Sequence, residues 1–184
     1  GRKGFVKSDG AAAAIVCTKR FAERNRLSEC PIEIISFTQS ADAYRLTDGR
    51  DDVAAVTYAM TEALMRARLN VEDISFIKAH GTATKLNDEH EAKAIKKVFF
   101  ENNRTVPILA LKGHLGHVTD ASGLVEALIA AEAAIKGFVL QTKNCDDPEY
   151  DLNILKQPKV ICGKNYFMCN TIGFGGNNSS LILS

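Results

Sequence analysis

"DISFIKAHGTATKLNDEHEAKAIKKVFFENNRTVPILALKGHLGHVTDASGLVEALIAAEAAIKG", residues 73–137, changes its hydrophobic period segment by segment. Residues 73–80 (DISFIKAH) are short, apolar and β-branched, which predicts a strand. Residues 87–100 (NDEHEAKAIKKVFF) turn to a helical pattern, with Asp88, Glu89 and Glu91 early and Lys93, Lys96 and Lys97 late. That is the order a helix dipole favours. Residues 106–112 (VPILALK) predict a second strand, and 121–137 a helix apolar on most sides, hence buried, and stopped at Gly137. Strand, helix, strand, helix argues for an α/β fold with parallel strands under helical cover.

Outward from this stretch, Val53, Val56, Met60, Ala63, Leu64 and Ala67 share one helical face, with Asp48 or Asp51 as the expected N-cap. Residues 32–40 (IEIISFTQS) read as a strand, and 4–20 (GFVKSDGAAAAIVCTKR) as two short strands, or a strand and a bend, about Gly10. The tail, 166–184 (YFMCNTIGFGGNNSSLILS), predicts two strands around a glycine turn.

No repeat or linker divides the 184 residues, and that length is enough for one domain with a real core. A composition 46% hydrophobic and 24% charged is that of a globular protein, and a net charge of +1 offers no field for nucleic acid or an acidic membrane surface. The apolar runs are too short or too charged for a transmembrane helix, and no signal peptide is visible. Five cysteines without a CxxC pair point to a reducing, cytoplasmic compartment. The chain opens GRKGFV, with no initiator methionine and a β-like segment at once, which reads as a piece of something longer.

In open α/β sheets ligands collect beyond the carboxyl ends of strands. His80 ends one expected strand, Lys112 the next, and His117 follows near the start of the apolar helix. His114 and His117, with His80, could be read as metal ligands. Gly113 and Gly116 make a regular helix there doubtful, however, and no carboxylate or cysteine completes a set, so no metal is expected. His90 and His114 read as solvated or structural. The GFGGNN of residues 173–178 feeds a strand rather than a helix, so a backbone turn beside a pocket is expected instead of a phosphate cradle. HGTAT (80–84) by itself could be a hydroxyl-rich turn. Two neutral imidazoles and a lysine suit an oxyanion or enolate site, or general acid–base work near neutral pH. No nucleophile is placed by pattern, since Cys169 sits inside YFMCN and reads as a small buried hydrophobe. The residues alone therefore reach half of an acyl-transfer or enolate-forming site.

KAHGTATKLNDEHEA, LKGHLGHVTDASGLVEA and CNTIGFGGNNSSLIL resemble, in order and spacing, three signature blocks in the C-terminal half of β-ketoacyl synthases. GFVKSDGAAAAIV and SADAYRLTDG resemble the family's segments before the histidine block, and LQTKNCDDPEYDLNIL the segment after the lysine–histidine block, so the resemblance spans the chain. It implies a thiolase-like half, residues 1–184, with a mixed five-stranded sheet and packed helices, and an absent N-terminal half carrying the nucleophilic cysteine. It implies a decarboxylative Claisen condensation of malonyl-acyl carrier protein with an enzyme-bound acyl thioester, in fatty-acid or polyketide synthesis. By position, His80 and His117 match the histidines that hold the malonyl thioester oxygen and stabilise the enolate. Lys112 matches the active-site lysine, and Glu91 an acidic residue paired with it. Thr82 and Thr84 match hydroxyls that bond the phosphopantetheine arm. Phe174 matches an aromatic gate, with Gly173, Gly175 and Gly176 its turn. No cofactor is implied beyond the phosphopantetheine of the carrier protein. The expected partners are acyl carrier protein, the other half, and a second copy in a homodimer, with no nucleic acid and no membrane. Alone, the chain is expected to be inactive. Ala110, Ile172, Ala83, Asn87 and Asn177 depart from the family pattern, and Ile172 and Asn177 leave chain-length preference open. An alternative is a non-catalytic partner like the chain-length factors. A weaker third is a thiolase relative acting on coenzyme A esters.

Overall fold

The computed structural model describes residues 4–27, 32–102, 104–163 and 165–184, so Cys30 lies outside the described residues. Five strands form one mixed sheet: β1 (Ile34–Ala41), β2 (Ile74–Lys78), β3 (Ile108–Leu109), β6 (Tyr166–Gly173) and β7 (Asn177–Leu183), in the order β1-β7-β6-β2-β3. β2 runs parallel to both β3 and β6; the helix α3 (Lys85–Val98) supplies the crossover from β2 to β3, and the chain reaches β6 only after a further helical segment. β6 and β7 are an antiparallel hairpin closed at Gly173 and Asn177, and β1 pairs antiparallel with β7. A separate two-stranded ribbon joins β4 (Phe138–Val139) to β5 (Lys159–Val160).

The sheet buries both faces. Against one lie α2 (Ala54–Ala67) and α3, whose Val56, Met60, Leu64, Ile95 and Val98 meet Ile77, Ile108, Met168 and Ile182. Against the other lies α5 (Ser122–Ile135), whose Ala127, Ala130 and Ala131 let the helix approach Phe76, Leu109, Phe167 and Cys169. Phe76 and Phe167 stack with centroids 4.7 Å apart. Burying each such large apolar side chain is worth about 1.5–3 kcal/mol. A bulge between Ile74 and Phe76 shifts the alternation, and it leaves Phe76 and Lys78 on the α5 side while Ile77 faces α2 and α3.

Several expectations need correction. Segment 4–18 forms no strand. Lys7 makes an isolated bridge to His117, while Ile15 and Val16 stand exposed before a short helix α1 (Lys19–Arg24) that the pattern did not announce. The N-cap of α2 is Val53, held at a left-handed φ of 52°, and the nearby carboxylate that accepts the Ala54 N–H belongs to Asp52 rather than to Asp48 or Asp51. The second strand is only Ile108–Leu109, and Lys112 opens a one-turn helix, α4 (Lys112–Leu115), despite Gly113. α5 is not buried all round, since Leu124, Leu128 and Ile135 are exposed. His90 is buried, with its Nε2 3.2 Å from Asp51 Oδ1. Among the described residues, no helix is long and apolar enough to cross a membrane.

Candidate active site

β2 ends at Lys78, and two residues later His80 emerges into the turn that leads to α3. The turn is held from α3 by Glu91, whose carboxylate accepts the backbone N–H of His80 at 2.7 Å and of Gly81 at 2.9 Å. Burial pushes the Glu91 carboxyl upward, and those two N–H bonds oppose it. Ala83, where the family pattern has a glycine, sits at a left-handed φ of 60° in this turn. Thr82 and Thr84 put their hydroxyl oxygens 2.8 Å apart, so one donates to the other.

The Lys112 ammonium arrives from α4. It donates to Glu126 Oε1 at 2.6 Å and to the His80 carbonyl at 2.6 Å, and it lies 3.3 Å from His80 Nδ1. An ammonium has only protons to offer, so the ring nitrogen it faces is the unprotonated one. His80 therefore carries its proton on Nε2. Burial chiefly, then the charges of Lys112 and Lys78, hold His80 well below the usual imidazole pKa. Burial also lowers Lys112, against the opposing pull of Glu126.

His117 reaches the same tautomer by another route. Thr119, at a φ of 49°, turns its backbone N–H back onto His117 Nδ1 at 3.1 Å, and the Ser122 hydroxyl lies 2.9 Å from the same atom. A backbone N–H can only donate, so Nδ1 accepts and Nε2 carries the proton. The N-terminal segment fixes the backbone here: His117 N–H donates to the Val6 carbonyl at 2.7 Å, and Phe5 packs edge-on to the ring. A side chain at Gly116 would strike Ser8 Oγ, and its φ of 76° already favours glycine. The His80 and His117 rings stand 5.7 Å apart, centroid to centroid, nearly perpendicular.

The structure thus brings His80, Lys112 and His117 together. It does not pair Lys112 with Glu91 directly, because the carboxylate on Lys112 is Glu126, from α5. Glu126 also binds Lys78 through its other oxygen. Sequence reading missed both groups, although a charged residue in an apolar strand or helix is itself a signal that a buried partner exists. Phe174 stands exposed on the turn between β6 and β7. That turn is pinned by Gly175 N–H to the Leu46 carbonyl and by Asp42 N–H to the Gly176 carbonyl. His114 is structural, its Nε2 2.7 Å from the Gln141 carbonyl. Cys169 is buried, its thiol pushed up to about 11 by desolvation.

The depressed imidazoles predict how stability responds to pH. Between the folded-state pKa of His80 and the unfolded value of about 6.5, the unfolded chain binds more protons. This contribution is complete above about pH 6.5 and is lost as pH falls below it, at about 1.4 kcal/mol per unit of depression. Glu91, raised by burial, acts with the opposite sign. Urea unfolding across this range should therefore show a loss at low pH that His80→Gln flattens. An equal slope in that variant would place the imidazole outside the titration.

A family model described as beta-ketoacyl synthase, C-terminal domain, matches residues 32–146. The 3-oxoacyl-(acyl-carrier-protein) synthase 2 of Vibrio cholerae is 35% identical over 98% of this chain, which spans 44% of that relative. The one from Staphylococcus aureus is 32% identical over 99%, again across 44% of its length. Among solved structures, an ishigamide ketosynthase/chain length factor is 30% identical, with a TM-score of 0.89 over 100% of this chain and 45% of its own. A type II polyketide ketosynthase solved in complex with its acyl-carrier protein has a TM-score of 0.85 at 27% identity, over 99% of this chain and 45% of its own.

Proposed function

This chain belongs to the β-ketoacyl synthase family, matching its C-terminal domain, and on that premise we propose that it supplies the decarboxylating, enolate-holding part of a ketosynthase. One observation carries the reading: both imidazoles have Nδ1 engaged as an acceptor, which leaves two Nε2–H donors for one oxygen. Malonyl-acyl carrier protein would place its thioester carbonyl between them. As the carbon–carboxylate bond breaks, CO2 leaves and the electron pair moves into the enolate, whose oxygen takes both hydrogen bonds. The enolate carbon then attacks an acyl thioester on a cysteine and expels the thiolate. None of the described cysteines suits that role, and Cys169 with its raised pKa suits it least. The family resemblance puts the nucleophile in the part of the relatives that this chain does not span, and on that reading the chain alone should not condense thioesters. Thr82 and Thr84 would meet the phosphopantetheine arm, and Phe174 would gate the acyl pocket.

The alternative, a non-catalytic partner of the chain-length-factor kind, draws support from the ketosynthase/chain length factor assembly among the structural relatives. Retention of His80, Lys112 and His117 favours the enzyme. The complete polypeptide, given acyl- and malonyl-acyl carrier protein, should release CO2 and form the 3-oxoacyl product, read by mass spectrometry of the carrier. No CO2 and no product from a correctly folded protein would reject the catalytic reading.

A further inference from the structure

We propose that Lys78 is a positioning residue for this site: it fixes one oxygen of Glu126 against the sheet, so that the other holds Lys112 where it faces His80 Nδ1. The inference rests on the ketosynthase reading for its consequence to catalysis, but its geometry stands by itself.

Lys78 is fully buried at the carboxyl end of β2. Its ammonium donates to Glu126 Oε2 at 3.0 Å and to the Asn170 carbonyl, on β6, at 2.7 Å. Packing does not require a cation there, since Phe76 on the same face already stacks on Phe167. Lys112 alone would supply Glu126 with a counter-charge, but one ammonium leaves a carboxylate free to rotate and share both oxygens. With Oε2 tied to Lys78, whose ammonium is itself anchored on the β6 carbonyl of Asn170, Oε1 has one place to be, and Lys112 meets it there at 2.6 Å. Three elements thus converge on one carboxylate: β2 through Lys78, α4 through Lys112, and α5, which carries Glu126. The charges also close. Lys78 and Lys112 balance Glu126 and Glu91, so the buried set is neutral beside uncharged imidazoles.

The groups that face His80 are Lys78 from its own strand, Glu91 from α3, Lys112 from α4, His117 from the following loop and Glu126 from α5. Removing the Lys78 charge leaves that set at net −1. Glu126 is then free to swing, and Lys112 loses its register on Nδ1. Ring-labelled histidine and two-bond ¹H–¹⁵N spectra of the complete polypeptide read both effects. Wild-type His80 should be the Nε2–H tautomer. Lys78→Met should raise its titration midpoint by about one pH unit and mix its tautomers. Lys78→Arg, which keeps the charge and the donors, should restore both. A folded Lys78→Met or Lys78→Gln protein with unchanged His80 tautomer and midpoint overturns the proposal. If both neutral variants unfold while Lys78→Arg does not, Lys78 serves the fold alone and the proposal fails as well. Because the readout needs no turnover, a failed condensation assay would count against the ketosynthase reading and leave this one untouched.

Discussion

His117→Ala in the complete polypeptide should cut malonyl decarboxylation by about 10²–10³-fold while leaving acylation of the nucleophile near its native rate. The asymmetry follows from the chemistry. Acyl transfer to a thiolate builds charge on the acyl carbonyl, whereas decarboxylation builds it on the malonyl thioester oxygen that the paired Nε2–H groups are proposed to hold. Removing one imidazole leaves His80 as the only ring donor to the enolate. The fold should tolerate the loss, because His117 is only partly buried and its backbone bonds to Val6 and Ser8 need no side chain. The Thr119 N–H loses its ring acceptor where water can replace it, while the buried Ser122 hydroxyl loses a partner at about 1–3 kcal/mol, less than the fold can spare. Burst acylation with a labelled acyl carrier protein and CO2 release from malonyl carrier protein separate the two steps. Equal losses in both would mean that His117 serves the nucleophile instead of the enolate.

The parallel pair β2–β3 was readable because the strand and helix periods alternate plainly between residues 73 and 137, and the β6–β7 hairpin because glycines mark its turn. His80, Lys112 and His117 were readable because polar residues at strand ends and helix starts share one edge. Segment 11–17 misled, since its apolar run reads as a strand while the described residues offer it no partner strand. The Lys78–Glu126–Lys112 cluster was opaque for another reason. Each charge announces that it needs a partner, but the pairs lie 48 and 14 residues apart, and no local period says which charge meets which. The same opacity made Glu91 look like the partner of Lys112. Its carboxylate is spent on the His80 and Gly81 N–H groups, and its charge reaches Lys112 only through space.

Glu126→Gln should therefore be the costliest conservative change in the chain, at about 3–5 kcal/mol. The amide keeps the shape but offers one oxygen to two buried ammonium groups, and its NH2 must face the other. The side chains of Lys78 and Lys112 are 0% and 3% exposed, so water cannot replace the lost acceptor. Glu91→Gln should cost less, because one of its two backbone donors keeps an acceptor and no ammonium is left unpaired, about 1–3 kcal/mol. Lys112→Met should also be milder for stability, since the Lys78–Glu126 pair survives it and methionine fills the volume. Denaturant unfolding near neutral pH orders the three. The deficit of Glu126→Gln should narrow as pH rises toward the lysine range. An uncompensated ammonium has a depressed folded-state pKa, so the unfolded chain binds more protons there and stability rises with pH. A Glu126→Gln protein no less stable than Glu91→Gln, with a deficit that does not change with pH, would mean the two ammonium groups are not held by this carboxylate.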